Sequence, residues 1–163
     1  MQTNRIILLT TLPLVIIIDQ LTKLYIDRSM KLFQTTPVIE GLFSITYLRN
    51  RGAAFSFLSD ASWRLPFFIL ATLIAVVAII VAFRKLRDDQ RFAATSLALI
   101  LSGAIGNLID RVRMGEVIDF LDVYWRTYHW PAFNVADSAI CVGVAMLALD
   151  MFREEQRNKG MNR

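Results

Sequence analysis

Three aspartates, Asp110, Asp119 and Asp137, stand among long apolar runs of the chain. An ionised side chain at the depth of the hydrocarbon costs on the order of 3 kcal/mol or more, so acids in such places usually have a function. Two carboxylates that lie close together in a dry site cannot both ionise comfortably and therefore share a proton. One can then take a proton from water while the other protonates the leaving side. For Asp119 and Asp137 this pattern indicates the acid–base chemistry of aspartic peptidases. The alternative is that they are unrelated interfacial acids, each solvated or paired with a nearby arginine.

The residues around Asp119 and Asp137 indicate which elements would bring them together. Gly115 can end a helix, which leaves residues 117–121 extended and Asp119 at or just under the membrane surface. Asn134 fits the N-cap of the following helix, with Asp137 in its first turn. The connection between the two helices is modest, so they can be antiparallel neighbours and the two carboxylates can meet.

The surroundings of the two aspartates predict different charge states. Asp137 lies where the positive end of a helix dipole and unpaired backbone N–H groups favour a carboxylate. Asp119 lies in an extended apolar run, where desolvation favours the neutral acid. We therefore predict that Asp137 carries the charge and Asp119 holds the shared proton.

The composition places these residues in a membrane protein. The chain has 163 residues, of which 55% are hydrophobic and 20% charged, and its mean hydropathy is +0.47, outside the balance of a soluble domain. No linker, repeat or composition shift divides it, so we predict one membrane-embedded domain over residues 1–163. The net charge is +4, and the basic residues stand mostly beside apolar runs, which suits anionic lipid head groups better than nucleic acid. Cys141 and His129 are single residues of their kind, so the sequence predicts neither a disulfide nor a metal site.

Four apolar stretches are long enough to cross a hydrocarbon core of about 30 Å. They predict spans over about residues 6–26, 65–83, 92–111 and 134–152. The outer segment 27–64 contains an alternating strand pattern at 43–47 and an amphipathic stretch at 54–63 that predicts a short interfacial helix. The charged tail 153–163 is expected to fray. The predicted fold is an integral membrane protein, mainly α, with a four-transmembrane-helix bundle and, on the outer side, a small extramembrane β-sheet and the interfacial helix.

Two patterns within the spans concern contacts between helices. Asp19 and Lys23 are four residues apart and share a helix face in the favourable order for an ion pair. Such a pair can simply neutralise itself near the interface or can orient the active site, and the two readings are compatible. The third span carries small residues at every fourth position, a stripe that lets helices pack closely in lipid: Ala94, Ala98, Ser102 and Gly106.

The basic residues predict the orientation in the membrane. A tally of basic residues on the two sides is a tie, but those of the short loop 84–91 and of the two terminal segments cluster next to span ends. Because the positive-inside bias acts on such short segments, we predict that both termini are cytoplasmic. Asp119 and the start of the fourth span then lie at the outer face.

Five motifs, taken together, resemble the successive sequence blocks of lipoprotein signal peptidase, or signal peptidase II. They are Asp19-Gln-Leu-Thr-Lys23, Asn50-Arg-Gly-Ala-Ala-Phe55, Gly106-Asn-Leu-Ile-Asp-Arg111, Val117-Ile-Asp-Phe120 and Phe133-Asn-Val-Ala-Asp137. Each block alone is weak, but five in the right order, covering nearly the whole chain, are specific.

The resemblance implies an aspartic endopeptidase of the bacterial inner membrane. Such an enzyme removes the signal peptide from diacylglyceryl-modified prolipoproteins and cuts just before the modified cysteine. The resemblance assigns the catalytic pair to Asp119 and Asp137. The positions that match substrate-binding or site-supporting residues are Asp19, Lys23, Asn50, Gly52, Asn107, Asp110, Arg111 and Asn134. It implies prolipoprotein substrates and neither cofactor nor metal. We further predict membrane lipids as partners and a monomer.

Two other functions remain open from the sequence. Buried acids in four spans could relay protons in a small proton-coupled transporter, although the acids cluster at one end and no inverted repeat is evident. A noncatalytic membrane assembly factor would not need both Asp119 and Asp137. Arg111 could hold a substrate carbonyl or could be an interfacial arginine that reaches towards the head groups.

Overall fold

The computed structural model describes residues 2–52 and 63–161. Within these residues the chain forms four helices, α1 (Gln2–Ser29), α2 (Arg64–Arg84), α3 (Arg91–Met114) and α4 (Val135–Met161). It also forms four strands, β1 (Thr35–Ile39), β2 (Phe43–Asn50), β3 (Val117–Trp125) and β4 (Tyr128–His129). The interfacial helix expected over 54–63 lies, apart from Trp63, outside the described residues.

The four helices are each long and apolar enough to cross a membrane, and α3 lies at their centre. It packs against α1, α2 and α4, and its predicted small-residue stripe is confirmed. Ala94, Ala98 and Ser102 are fully buried, and Gly106 is buried beside them. In contrast, α2 is described over its whole length and has no buried residue. The buried core of the bundle therefore lies around α3. The outer faces of the other helices are apolar and can contact lipid.

Helices α1, α3 and α4 extend at their C-terminal ends beyond the spans predicted for them, α3 as far as Met114. Helix α1 begins at Gln2 and continues to Ser29, three residues into the segment predicted to be outside. The expected fraying of the tail is wrong for residues 153–161, which continue α4. These residues are mostly good helix formers, and Lys159 Nζ lies 2.6 Å from Glu155 Oε1 one turn earlier, an ion pair that supports the helix.

The strands form one antiparallel sheet in the order β1-β2-β3-β4. In its register Leu48 lies opposite Asp119, and Asn50 opposite Val117. The sheet packs on the end of α1 through a buried cluster of Ile26, Tyr47, Ile118 and Phe120. The predicted fold, four apolar helices with a small β-sheet, is confirmed, whereas the side of the membrane on which the sheet lies and the single domain over 1–163 stay predictions.

Candidate active site

Asp119 is positioned by the sharp turn between α3 and β3. Gly115 ends α3 in the left-handed conformation at φ 74°, and its N–H donates to Arg111 O at 2.9 Å. Glycine adopts this conformation without the clash that a Cβ would cause. The chain therefore leaves the helix at once, and β3 starts two residues later with Val117, Ile118, Asp119 and Phe120 all buried. Asp119 is thus held in a strand that is covered on both faces.

The carboxylate of Asp119 accepts a hydrogen bond at each oxygen. Asn50 Nδ2 donates to Oδ2 at 3.0 Å, and Asn134 Nδ2 donates to Oδ1 at 2.8 Å. The amide of Asn50 is oriented by its other end, because Asn50 Oδ1 accepts the backbone N–H of Gly52 at 2.8 Å. Asn50 therefore closes the turn that follows β2 and also presents a donor to Asp119.

Asp137 lies in the first turn of α4 and forms a reciprocal cap with Asn134. The N–H of Asp137 donates to Asn134 Oδ1 at 2.9 Å, and the N–H of Asn134 donates to Asp137 Oδ2 at 3.2 Å. This is the geometry of a capping box, which satisfies two N–H groups at the start of the helix. Asn107 Nδ2 donates to the other oxygen, Asp137 Oδ1, at 2.7 Å. The predicted N-cap is confirmed, and it fixes the Asp137 side chain as well as the helix.

Asn134 joins the two aspartates, and both line one cavity. Its side chain binds Asp119 while its backbone N–H binds Asp137. The cavity, called the catalytic cavity below, has a volume of about 700 Å³ and lies between α2, α3 and α4. Its walls are mainly apolar, and the residues that form them include Phe68, Ala71, Ala75, Val117, Phe133 and Ile140. The carboxylates form part of the polar end of an otherwise apolar space.

The surroundings of Asp119 favour its protonated form. Burial raises the pKa of the Asp119 carboxyl to about 7, and the negative charge of Asp137 acts in the same direction. The hydrogen bonds from Asn50 and Asn134 and the positive charge of Lys23 lower the pKa but do not offset burial. A group with a pKa near neutrality can hold a proton and release it during a reaction.

A buried polar cluster behind the aspartates fixes the amides that hold them. Lys23 Nζ lies 2.9 Å from Asp19 Oδ2 and 2.8 Å from Asp110 Oδ2, and it donates to Asn107 Oδ1 at 2.9 Å. The side chains of Lys23, Asp19 and Asp110 are at most 2% exposed. Because Lys23 holds the oxygen of the Asn107 amide, the nitrogen of that amide faces Asp137. The expected ion pair of Asp19 and Lys23 is present, and it does more than neutralise itself.

The same cluster connects α1 to α3 and α4. Asp19 Oδ1 accepts the N–H of Ala136 at 2.9 Å, so α1 supplies an acceptor to the start of α4. A Cβ at Gly106 would lie 2.7 Å from Asp19 Oδ2, closer than atoms can approach, so this position admits no side chain. The close contact of α1 with α3 at this level therefore depends on the last residue of the small-residue stripe.

Gln20 belongs to the polar cluster but was not among the residues expected there. Its Nε2 donates to Asp110 Oδ1 at 3.0 Å and to Asp19 Oδ2 at 3.1 Å. The available signal was an uncharged polar residue in an apolar span, directly beside Asp19. The helical spacing rule that pairs Asp19 with Lys23 gives no partner for Gln20, because Asp110 lies on another helix.

Arg111 is held at the rim of the catalytic cavity. Its Nη2 donates to Gly52 O at 3.2 Å, and its guanidinium lies 5.0 Å from the centre of the Phe68 ring, within the range of a cation–π contact. Arg111 therefore links the end of β2 to α2 and α3. The structure brings all ten predicted site residues into this one region, whereas their roles in a reaction stay predictions.

The fold and the site define a class: a multi-pass membrane protein in which a buried aspartate, Asp119, and a half-buried one, Asp137, face an apolar cavity that is bordered by the membrane helices. A sequence profile described as signal peptidase (SPase) II matches residues 11–153. The chain is 75% identical to the lipoprotein signal peptidase of Geobacter sulfurreducens over 142 residues, 87% of this chain and 89% of that protein. It is 69% identical to the lipoprotein signal peptidase of Geobacter metallireducens, with 90% of this chain and 91% of that protein covered.

Solved structures agree with these sequence relationships. A bacterial membrane enzyme determined at 2.3 Å resolution superposes with a TM-score of 0.84 at 34% identity, covering 96% of this chain and 92% of that chain. A second, at 1.9 Å resolution, superposes with a TM-score of 0.78 at 33% identity, covering 93% of both chains. The chain belongs to the signal peptidase II family.

Proposed function

We propose that this protein is an aspartic endopeptidase that removes signal peptides from diacylglyceryl-modified prolipoproteins and cuts before the modified cysteine. Its membership of the signal peptidase II family supports peptidase activity and prolipoprotein substrates. The observation that carries the aspartic mechanism is that Asp119 and Asp137 are joined through Asn134 at the polar end of one apolar cavity.

In the proposed reaction Asp137 is ionised and Asp119 is protonated. Water attacks the scissile carbonyl carbon and gives a proton to Asp137, while the proton of Asp119 passes to the carbonyl oxygen. The tetrahedral intermediate then collapses, the proton on Asp137 moves to the leaving amine, and Asp119 regains its own proton. The raised pKa of Asp119 supports this assignment, as does the place of Asp137 in the first turn of α4.

The neighbouring amides position the two carboxyl groups in this proposal. Asn50 and Asn134 hold Asp119 from both sides, and Asn107 holds Asp137. Arg111 lies at the rim with its guanidinium fixed by Gly52 and Phe68. We assign to it the binding of a substrate carbonyl, because a guanidinium has further N–H donors beyond the one that Gly52 uses.

The catalytic cavity suits a substrate that arrives within the bilayer. Helices α2 and α4 pack mainly on α3 and little against each other, so the cavity between them borders the lipid. A signal helix and acyl chains beside the scissile bond can enter such an apolar space laterally, and each buried methylene adds about 0.8 kcal/mol. The proposed enzyme acts as a monomer in the bacterial inner membrane, with lipids as its surroundings and without metal or cofactor.

The proposed orientation places the active site at the outer face and both termini in the cytoplasm. The opposite end of the bundle carries the basic segment that joins α2 to α3, with Arg84, Lys85, Arg87 and Arg91, as the positive-inside bias favours. The transporter alternative has no support, because the relatives are signal peptidases. The same finding speaks against a noncatalytic assembly factor.

The test is cleavage of a diacylglyceryl-modified precursor by the purified protein in detergent. Asp119→Asn and Asp137→Asn each remove one half of the acid–base pair without changing volume, and we expect each to lower the rate by about 10²–10⁴-fold or more. Asp122→Asn is the matched control, since Asp122 is buried in the same strand but contacts His129 instead of the cavity. Near-normal turnover by either of the first two variants would rule out the aspartate pair.

A further inference from the structure

The bundle has a second cavity, at the end away from the two aspartates. Its volume is about 720 Å³, and it lies between α1 and α2 with α3 as its floor. Helices α1 and α2 pack mainly on α3 and little against each other, which leaves the space open between them. Its apolar wall includes Leu8, Leu12, Ile80, Phe83, Leu101 and Ile105. The reaction proposed above uses none of these residues.

The length of the second cavity matches one leaflet of a bilayer. On α1 its lining runs from Asn4 to Pro13, a rise of about 14 Å along the helix axis. Half of a hydrocarbon core is about 15 Å thick. An acyl chain that enters with its head group at Asn4 would therefore reach the inner end of the cavity at about the middle of the bilayer.

The mouth of the second cavity is positively charged. Arg5 and Arg84 line the mouth. Within the described part of the chain, no acidic residue lines this cavity. Within residues 2–52 and 63–161 neither guanidinium has a salt bridge or hydrogen bond, and both side chains are exposed. Two such guanidinium groups at the end of an apolar groove can bind the phosphate of a phospholipid whose acyl chain lies in the groove.

A buried hydrogen-bond acceptor at the mouth indicates which lipid head group fits there. Asn4 is 4% exposed and donates from Nδ2 to Arg87 O at 2.8 Å. Its Oδ1 is buried and has no hydrogen-bond partner among the described residues. Such an orphan acceptor is uncommon and calls for a donor. A head-group hydroxyl can supply that donor, whereas the ammonium of a zwitterionic lipid would be repelled by Arg5 and Arg84.

We propose that the second cavity binds one anionic phospholipid with a hydroxyl-bearing head group, of the phosphatidylglycerol type. Its phosphate lies between Arg5 and Arg84, a head-group hydroxyl donates to Asn4 Oδ1, and one acyl chain fills the groove between α1 and α2. The site is independent of the peptidase reaction, since it shares no residue with the catalytic cavity.

The charge part of the site is tested by lipid binding to the full chain in detergent, measured by native mass spectrometry. Phosphatidylglycerol and phosphatidylcholine with identical acyl chains are titrated separately. We expect phosphatidylglycerol to bind about 25-fold more tightly, since each of the two arginines contributes about fivefold. Arg5→Gln/Arg84→Gln should remove this preference. Lys85→Gln/Arg91→Gln removes the same charge at the same end outside the cavity lining and should keep it. Equal binding of both lipids, or equal loss in the two double variants, would overturn the site.

The hydroxyl contact is tested by comparison with phosphatidylmethanol, which has the same charge but no hydroxyl. The wild-type protein should bind phosphatidylglycerol about fivefold more tightly, the size of one net hydrogen bond, and Asn4→Leu should bind the two lipids alike. Equal binding of the two lipids by the wild type refutes the contact even if the variant does not fold. Soluble glycerophosphoglycerol, which lacks acyl chains, should not compete, and effective competition would show that the groove is not the site.

Discussion

Asp119→Asn should stabilise the folded protein at neutral and alkaline pH while it abolishes catalysis. The pKa of Asp119 is about 7 in the folded protein against 3.8 as the ordinary value, a difference of about three. Each unit of pKa corresponds to about 1.36 kcal/mol, so keeping this carboxylate ionised in the folded state costs about 4 kcal/mol. An asparagine has no such cost.

The sign follows from the protons bound in the two states. Between about pH 4 and pH 7 the folded protein holds the Asp119 proton and the unfolded chain has lost it, so the free energy of unfolding falls as the pH rises. Below pH 4 both states are protonated, and above pH 7 both are ionised. The stabilisation by the neutral acid is therefore fully present below about pH 4 and is lost by about pH 7.

A second effect, which does not depend on pH, reduces this gain in the free energy of unfolding. The asparagine of the variant could accept a hydrogen bond from only one of the two amides that Asp119 binds, Asn50 and Asn134, which costs about 1 kcal/mol at every pH. The variant should thus be about 1 kcal/mol less stable than the wild type at pH 4 and about 3 kcal/mol more stable at pH 8. For a chain of this size, 3 kcal/mol is a rise in Tm of about 6–12 °C.

The assay is thermal unfolding in one detergent from pH 4 to pH 8, with the wild type, Asp119→Asn, Asp137→Asn and the double variant. Removing the charge of Asp137 removes one cause of the raised pKa of Asp119. The gain from Asp119→Asn at pH 8 should therefore be smaller in the Asp137→Asn background. A difference between the wild type and Asp119→Asn that stays constant over this pH range, or that favours the wild type at pH 8, would show that Asp119 does not hold the proton.

The remaining predictions concern activity, stability and orientation. In the free enzyme kcat/KM should fall as the pH rises above about 7, because Asp119 loses its proton; a rate that rises to pH 9 would contradict this. Lys23→Met should lower the free energy of unfolding by about 3–5 kcal/mol, since it leaves buried Asp19 and Asp110 without their cation. Arg49→Gln, which removes an exposed ion pair, should lower the free energy of unfolding by about 1 kcal/mol or less. An Arg87→Cys variant in a Cys141→Ala background, which removes the exposed native thiol, should react in cells only with thiol reagents that enter the cytoplasm, and labelling from outside would reverse the topology. Precursors without the diacylglyceryl group should be cleaved much more slowly than modified ones, and equal rates would refute the lipid requirement.

Local signals in the sequence were sufficient for the elements that carry the aspartates. Gly115 ends α3 and Asn134 caps α4 for reasons that lie within a few residues of each. Helical spacing alone related Asp19 to Lys23. The four membrane spans could be predicted equally directly, because a span depends on the hydropathy of one continuous stretch of sequence.

Contacts between distant elements were not accessible in the same way. No spacing rule connects Gln20 to Asp110 or Asp19 to Ala136, since these pairs lie on different helices. Strand β1 was missed because all five of its residues are exposed and the alternation of a half-buried strand is absent. The second cavity depends on how α1 and α2 are spaced on α3, which no single stretch of sequence encodes.

The amides around the two carboxylates each have a second task in the fold. Asn134 caps α4, and Asn50 closes the turn after β2. An inhibitor whose affinity came from this polar end would leave few escape mutations, because a substitution that weakened the inhibitor would also damage the protein. An inhibitor that relied on wall residues such as Ala71 or Ala75 would meet exposed positions on α2, a helix without buried residues, where a change of size should disturb the fold little. Resistance should therefore arise along the apolar wall, and compounds anchored to Asn50 and Asn134 should retain their potency for longer.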